Sequence, residues 1–455
     1  MHCGNGKVAT GELPPASITE PPRVHLPHVA HANDAYDEIL HSRSFVWLKF
    51  LSTVSHALAY IASACFFGSL FDARTKNVAM LARQEPELIM EGLFALGSNG
   101  SGQLGIGHKE DVSVPKQVLF KHHPPRDDEI VKIAAGGNHT ILLTKSGKAY
   151  WSGDPSNGAC GIVTGVNDTD SPVFREVVLS ATESPGPVAD VACTWDSSVF
   201  VLRDSEGKAT NVYTCGREDK GGTEPRLVPG FPPEGSEIRD LAAGFRHVVA
   251  VLHNGDVYGW GNGRKGQLGT LSGDAANAKG IVQKPVRMQS VGFPVAGAVC
   301  CQYATCLIAE PGDGQVLVLG ADKWALKSSA PPAVPNWKTI TASWGGIYIL
   351  KYDAMLEAWG RDDHGQLPPP GVPRIDSIAA GSEHVVAFTD RGEVVSWGWG
   401  EHGNCGPQAE NSVDVKGQWN AIASLKNLPE GSKITLIGAG CATSWIHITA
   451  DGIFL

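Results

Sequence analysis

Small and apolar residues recur along this chain in a fixed order that has no helical rhythm. A run of small residues opens an apolar stretch, a two-residue turn at glycine follows, and a second apolar stretch ends in glycine. Three copies are plain: Ala134-Ala135-Gly136-Gly137-Asn138-His139, Ala242-Ala243-Gly244-Phe245-Arg246-His247 and Ala379-Ala380-Gly381-Ser382-Glu383-His384. Their turns are Ser146-Gly147, Asn254-Gly255 and Arg391-Gly392, and their second stretches end at Gly153, Gly261 and Gly398. Weaker copies start at Ala192-Cys193-Thr194, Cys300-Cys301-Gln302 and Thr341-Ala342-Ser343, and Gly438-Ala439-Gly440 starts the last.

With the opening Gly97, the strand-ending glycines are 97, 153, 216, 261, 320, 360 and 398, at intervals of 38 to 63 residues. That spacing suits one small antiparallel sheet per repeat, each holding short strands joined by tight turns at glycine. A single unit cannot bury both faces of its sheet, so the units must pack on one another. Seven units predict an all-β fold, a seven-bladed β-propeller of antiparallel sheets, because closure into a ring leaves only short, protected edges. Leu93-Phe94-Ala95-Leu96-Gly97 and the final Gly452-Ile453-Phe454-Leu455 both read as the strand before the strand-ending glycine. Pairing of these terminal repeat strands would latch the ring.

The repeats span residues 91–455. Residues 1–90 form a different object, an N-terminal extension read as disordered with a hydrophobic helix near 45–71. From Phe50 to Phe71 there are 22 residues without Asp, Glu, Lys or Arg, enough to span a bilayer but diluted by serine, threonine and histidine. Three readings stand: a dispensable extension with Met90 as the natural start, a membrane or interfacial helix, and a helix docked on the propeller.

Composition agrees with a glycine-punctuated β protein: 54 glycines, 42% hydrophobic and 18% charged residues in 455. The net charge of −10 and the lack of a long basic run argue against an electrostatic footprint for nucleic acid. The ten cysteines have no Cys-x-x-Cys spacing and fall mostly inside strand patterns, which predicts buried free thiols and no metal site. Gly261-Asn262-Gly263-Arg264-Lys265-Gly266 matches the dinucleotide fingerprint, yet Gln267-Leu268-Gly269 follows where a helix should begin, so a repeat turn is expected. The recurring His139, His247 and His384 are expected to bond neighbouring backbone. Nothing in the chain predicts a catalytic constellation, a cofactor or an enzyme activity.

Partner binding leaves a clearer trace. The residue after each small-residue run reads Gly137, Trp195, Phe245, Tyr303, Trp344, Ser382 and Cys441. Equivalent repeat positions share one face of a propeller, so the four aromatics should form an arc near the central channel. They either plug the channel or present a binding surface, and aromatics of this type dominate interface energetics. Arg246, Glu383 and His384 stand beside the arc as a polar rim.

Phe94-Ala95-Leu96-Gly97-Ser98-Asn99-Gly100, Gly102-Gln103-Leu104-Gly105-Ile106-Gly107 and Val114-Pro115 resemble the opening repeat of the regulator of chromosome condensation family, with echoes at Gly266-Gln267-Leu268-Gly269 and Gly365-Gln366-Leu367. Two stretches, Gly97 to Asp111 and Trp397 to Gly406, are similar to the fungal alpha-tubulin-suppressor or killer-toxin-insensitivity branch. That resemblance implies a non-enzymatic cytoplasmic and nuclear subunit. Its partner would be a small CSL-type metal-binding electron carrier of diphthamide synthesis, and the pair would support Elongator-dependent modification of the tRNA wobble uridine. Two alternatives belong to other classes: a guanine-nucleotide exchange factor for a Ran-like GTPase, and a membrane-tethered scaffold that depends on residues 45–71. The Gly-Trp-Arg-His-Thr motif of the plant ultraviolet-B photoreceptor is absent; Gly244-Phe245-Arg246-His247-Val248 is its nearest copy.

Overall fold

The computed structural model describes residues 91–450 apart from 125–126, 168–169, 182–184, 217–223, 272–279, 290 and 409–411. The N-terminal extension, with its apolar segment 45–71, and Gly452–Leu455 lie outside the described residues. The described chain folds into seven antiparallel sheets and no α-helix. Among these residues no helix is long and apolar enough to cross a membrane.

Each sheet is one blade, its first three strands running outward from a common axis in chain order in every blade but the composite one. Blade 1 holds Ile130–Ala135, His139–Thr144, Ala149–Gly153 and Arg175–Glu176. Blades 2 and 3 begin with Val188–Cys193 and Ile238–Ala243, blade 4 with Gly297–Cys300, blade 5 with Trp337–Ala342 and blade 6 with Ile375–Ala380. Blade 7 is composite. Its inner strands are Ser432–Ala439 and Thr443–Ala450, and its outer strands, Gly92–Gly97 and Val112–Gln117, come from the start of the repeats.

The seven blades match the seven expected repeats, and their glycines show why the pattern is strict. All seven strand-ending glycines hold positive φ, from 91° at Gly261 to 122° at Gly360. A Cβ on any of them would lie 2.2 to 2.7 Å from a backbone carbonyl oxygen at the start of the neighbouring middle strand. Conformation and space both exclude a side chain there.

The second strands carry continuous apolar runs because packed blades cover both of their faces. His139–Thr144 and His247–Leu252 are buried at every position. Further out, indoles tie one blade to the loop of the one before: Trp359 Nε1 donates to the Leu326 carbonyl (2.8 Å) and Trp397 Nε1 to that of Gln366 (3.0 Å).

Ring closure rests on Gly92–Gly97, which pairs antiparallel with the C-terminal strand from Gly92↔Ile448 to Gly97↔Thr443. The terminal strands therefore latch as expected, but with a different partner segment: Thr443–Ile448 carries the pairing.

The three recurrent histidines join blades through side chains. His139 Nε2 meets Ser198 Oγ, His247 Nε2 meets Thr305 Oγ1 and His384 Nε2 meets Ser444 Oγ, each at 2.9 Å. Each bond crosses to the next blade, at joints 1–2, 3–4 and 6–7, which corrects the expectation of backbone partners. Burial holds all three imidazoles neutral, with pKa values lowered to about 4.

Two predictions follow from this packing. Because the unfolded chain takes up protons on these histidines below about pH 6.5 and the folded chain resists until about pH 4, stability is complete above that window and falls as pH drops through it. Each histidine contributes on the order of 3 kcal/mol, so the urea midpoint should fall steeply between those limits, and His247→Gln should make the dependence shallower. Gly97→Ala, whose Cβ would lie 2.2 Å from the Ala442 oxygen, should destabilise by at least about 2 kcal/mol in urea unfolding, whereas Gly292→Ala, with open space around it, should stay within about 0.5 kcal/mol.

Candidate functional site: the mouth of the central channel

Seven inner strands converge on the axis, and the turn that ends each of them decides what stands at the mouth. A Cβ on Gly136 would lie 2.6 Å from the Thr194 oxygen, on Gly244 2.5 Å from the Cys301 oxygen, and on Gly381 2.4 Å from the Gly440 oxygen. Backbone bonds then link blade to blade around the axis. The Gly137 N–H donates to the Trp195 carbonyl (2.9 Å), Trp195 N–H to that of Phe245 (3.0 Å) and Gln302 N–H to that of Trp344 (3.0 Å). Trp344 N–H reaches Ser382, and Ser382 N–H reaches Gly440, both at 2.9 Å.

Three of the four expected aromatics meet over the axis. Ring centroids lie 5.3 Å apart for Trp195 and Phe245, 5.8 Å for Trp195 and Trp344, and 5.4 Å for Phe245 and Trp344, the last pair edge to face. Such pairs contribute about 0.5–1.5 kcal/mol each beyond the area they bury. All three side chains are half-buried. Gly137 completes the arrangement, because a Cβ there would sit 2.6 Å from the Trp195 ring. Tyr303 stands apart from the trio, with Lys323 Nζ 5.4 Å from its ring centroid.

Below the trio lies a narrow void of about 120 Å³ lined by small residues from Ala135 to Cys441. Above it opens a depression of about 500 Å³. Trp195 and Trp344 line both spaces, so the same rings plug the channel and floor the mouth.

Polar groups border one side of this depression. Glu383 pairs with Arg361, and both side chains are mostly buried. Arg361 Nε also meets Asp363 Oδ1 at 2.6 Å. Burial pushes the Asp363 carboxyl up, but hydrogen bonds from Arg361 and Gln366 outweigh it and hold the pKa at about 2. His364 Nδ1 lies 3.0 Å from Asp414 Oδ1, and His402 Nδ1 lies 2.7 Å from Asp111 Oδ2. Trp399 stands edge to face on His402 at 5.4 Å and forms a wall.

Of the expected rim, Glu383 lines the depression. Arg246 is exposed beside it, 3.6 Å from Asp196 and with its guanidinium 5.5 Å from the Phe245 ring centroid. His384 does not belong to the rim. It is fully buried in its bond to Ser444, because its side chain points between blades and away from the mouth. Ser98, Arg361 and Trp399 were not singled out by the aromatic alignment, although each follows a strand-ending glycine and the three line the depression together.

The dinucleotide-like stretch is a turn, in which Gly266 N–H donates to the Gly263 carbonyl at 2.9 Å and no helix follows. The eight described cysteines are all free; six are buried, and Cys193 and Cys441 are half-buried.

Residues 92–446 match the family model described as RCC1-like domain. An RCC1 repeat-containing protein of Schizosaccharomyces pombe is 31% identical over 372 residues, covering 78% of this chain and 98% of its own length. A mouse protein named secretion-regulating guanine nucleotide exchange factor is 27% identical, with 60% of this chain matching 61% of it. Among solved structures, Prp20p of Saccharomyces cerevisiae, described with its binding properties to Gsp1p and histones, superposes with a TM-score of 0.64. Its identity is 22% over 81% of this chain and 93% of that one, a likeness of fold.

The contact between Gly137 and Trp195 makes a direct test of this geometry. Gly137→Ala should displace the indole, lowering stability by about 1–3 kcal/mol and changing the near-ultraviolet circular dichroism while the far-ultraviolet spectrum keeps its β signature. Unchanged aromatic signals would mean that Trp195 does not lie over Gly137.

Proposed function

The chain belongs to the RCC1-like domain family, and we propose that within it the protein is a non-catalytic, partner-binding propeller that pairs with a small CSL-type metal-binding electron carrier. Through that heterodimer it would support diphthamide synthesis and Elongator-dependent modification of the tRNA wobble uridine, in the cytoplasm and nucleus. One observation carries the reading. The two stretches similar to the alpha-tubulin-suppressor branch, Gly97 to Asp111 and Trp397 to Gly406, lie far apart in the chain yet pack on each other at the mouth. His402 bonds Asp111, a Cβ on Gly97 would lie 3.0 Å from the Asn404 Cβ, and Ser98, Gly100, Ser101, Gln103, Trp399 and His402 line the depression. Part of each branch-similar stretch thus borders one site, next to a floor of half-buried tryptophans suited to hot-spot contacts.

A second reading, exchange factor for a Ran-like GTPase, draws on the mouse relative's name and on the Gsp1p binding named for Prp20p. It needs a loop that wedges into a nucleotide site. Of the two longer insertions, residues 154–178 end in Arg175–Glu176, the outer strand of blade 1, and within residues 270–284 positions 272–279 lie outside the described residues.

Calorimetry of the full chain with the purified carrier tests the proposal. One-to-one binding is expected, weakened at least tenfold by the Trp195→Ala, Trp344→Ala pair in a variant that keeps its far-ultraviolet spectrum. Absence of binding by the unsubstituted chain, together with accelerated nucleotide release from a Ran-like GTPase, would replace this reading with the second.

A further inference from the structure

The depression at the mouth combines two properties that select a ligand chemistry. Its apolar surface is tryptophan: Trp195 and Trp344 form the floor and Trp399 a wall. Its charged surface is acidic. Arg361 is the only lysine or arginine among the lining residues, and it is already held by Glu383 and Asp363. Asp111 and Asp414 add further carboxylates behind the lining His402 and His364, at 2.7 and 3.0 Å. Around the aromatic pocket Glu383, Asp363, Asp111, Asp414 and Asp196 stand against the guanidiniums of Arg361 and Arg246 and the Lys416 ammonium, which bonds the Asp363 carbonyl, a surplus of two carboxylates in a chain whose net charge is −10.

Aromatic faces attract a cation through the ring quadrupole, and tryptophan does so best. Surplus negative charge at the rim draws the same ligand in and repels an acidic one. A purely apolar anchor would use the floor and leave the carboxylates unanswered.

We propose that this pocket takes a lysine or arginine side chain presented by the partner protein, seated between Trp399 and the Trp195–Trp344 floor with its charge toward Glu383, Asp111 and Asp414. The assignment rests on the reading of the mouth as the partner face. It adds the residue type that the partner must supply.

The test uses the full chain with indole-¹⁵N-labelled tryptophan and five blocked pentapeptides, Gly-Gly-X-Gly-Gly with X as Lys, Arg, Leu, Trp or Glu. Lys and Arg peptides should shift the Trp195, Trp344 and Trp399 indole signals, and the shifts should weaken as salt rises. Trp399→Leu should reduce the affinity about tenfold. Asp414→Asn, a change of charge on a partly exposed side chain, should weaken binding with the melting temperature unchanged. Leu or Trp peptides binding as well as Lys and Arg, or no indole shift with any peptide, would overturn the proposal.

The peptides do not involve the carrier, so the two readings fail separately. If the carrier binds but Lys and Arg peptides neither bind nor compete with it, the cation pocket is wrong and the heterodimer stands. If these peptides shift the indoles while the carrier fails to bind, the pocket stands and its partner is another basic protein.

Discussion

Seven edge strands converging on one axis leave room only for glycine or a small side chain where they meet, at Gly136, Thr194, Gly244, Cys301, Ser343, Gly381 and Gly440, and the rest of the molecule follows from that restriction. At Gly136, Gly244 and Gly381 a single methyl group would collide with a carbonyl oxygen of the next blade. Glycines or small residues there let the inner turns approach until their N–H groups reach neighbouring carbonyls, as from Gly137 to Trp195, from Trp195 to Phe245 and from Trp344 to Ser382. The residue that follows the crowded position is the first free to carry a large side chain. It is therefore the residue that stands at the mouth, and in this chain it is Trp195, Phe245 and Trp344.

The same geometry ties stability to the site. The rings over the axis are packed enough to close the channel and open enough to floor a depression, so one group of side chains serves both the ring and the surface. Behind the mouth, buried histidines in three of the blades reach hydroxyls on the next, and the terminal strand Gly92–Gly97 completes the last blade. Loops from the two ends of the repeat region meet across that closure, which brings Asp111 against His402. Closure of the ring therefore also assembles this side of the rim.

Much of this was legible from residue types. The strand-ending glycines marked every blade because φ and the nearby carbonyl both demand them, and three of the four aromatic positions followed from repeat equivalence; Tyr303 did not, because Gln302, whose N–H reaches the Trp344 carbonyl, holds the equivalent position. The histidine latches were half legible: His139, His247 and His384 stood out, and their partners Ser198, Thr305 and Ser444 occupy one equivalent position of the next blade. His384 was misread as surface because its neighbour Glu383 is, and successive residues of a strand point to opposite sides. Arg361 and Trp399 follow strand-ending glycines, at a repeat position that reads Ser98, Asp154, Arg217, Asn262, Ala321, Arg361 and Trp399 and is too varied in residue type to stand out, whereas His364 and His402 lie on connections whose lengths differ between blades. The closure partner was expected in Gly452-Ile453-Phe454-Leu455 because that short apolar stretch follows the turn-like Asp451-Gly452, whereas the register that buries Leu93 and Ala95 pairs them within Thr443–Ile448.

Hydrogen-exchange mass spectrometry of the full chain, alone and with the CSL-type carrier, would examine the mouth as a partner face directly. Slowed exchange is predicted in the turns around Trp195, Trp344 and Ser382 and in the connections around Ser98 and Trp399. The hairpin at Tyr352–Met355, whose side chains are exposed at the end of blade 5 away from Trp344, should keep its rate. Slowed exchange at that hairpin with the mouth unchanged would contradict the assignment.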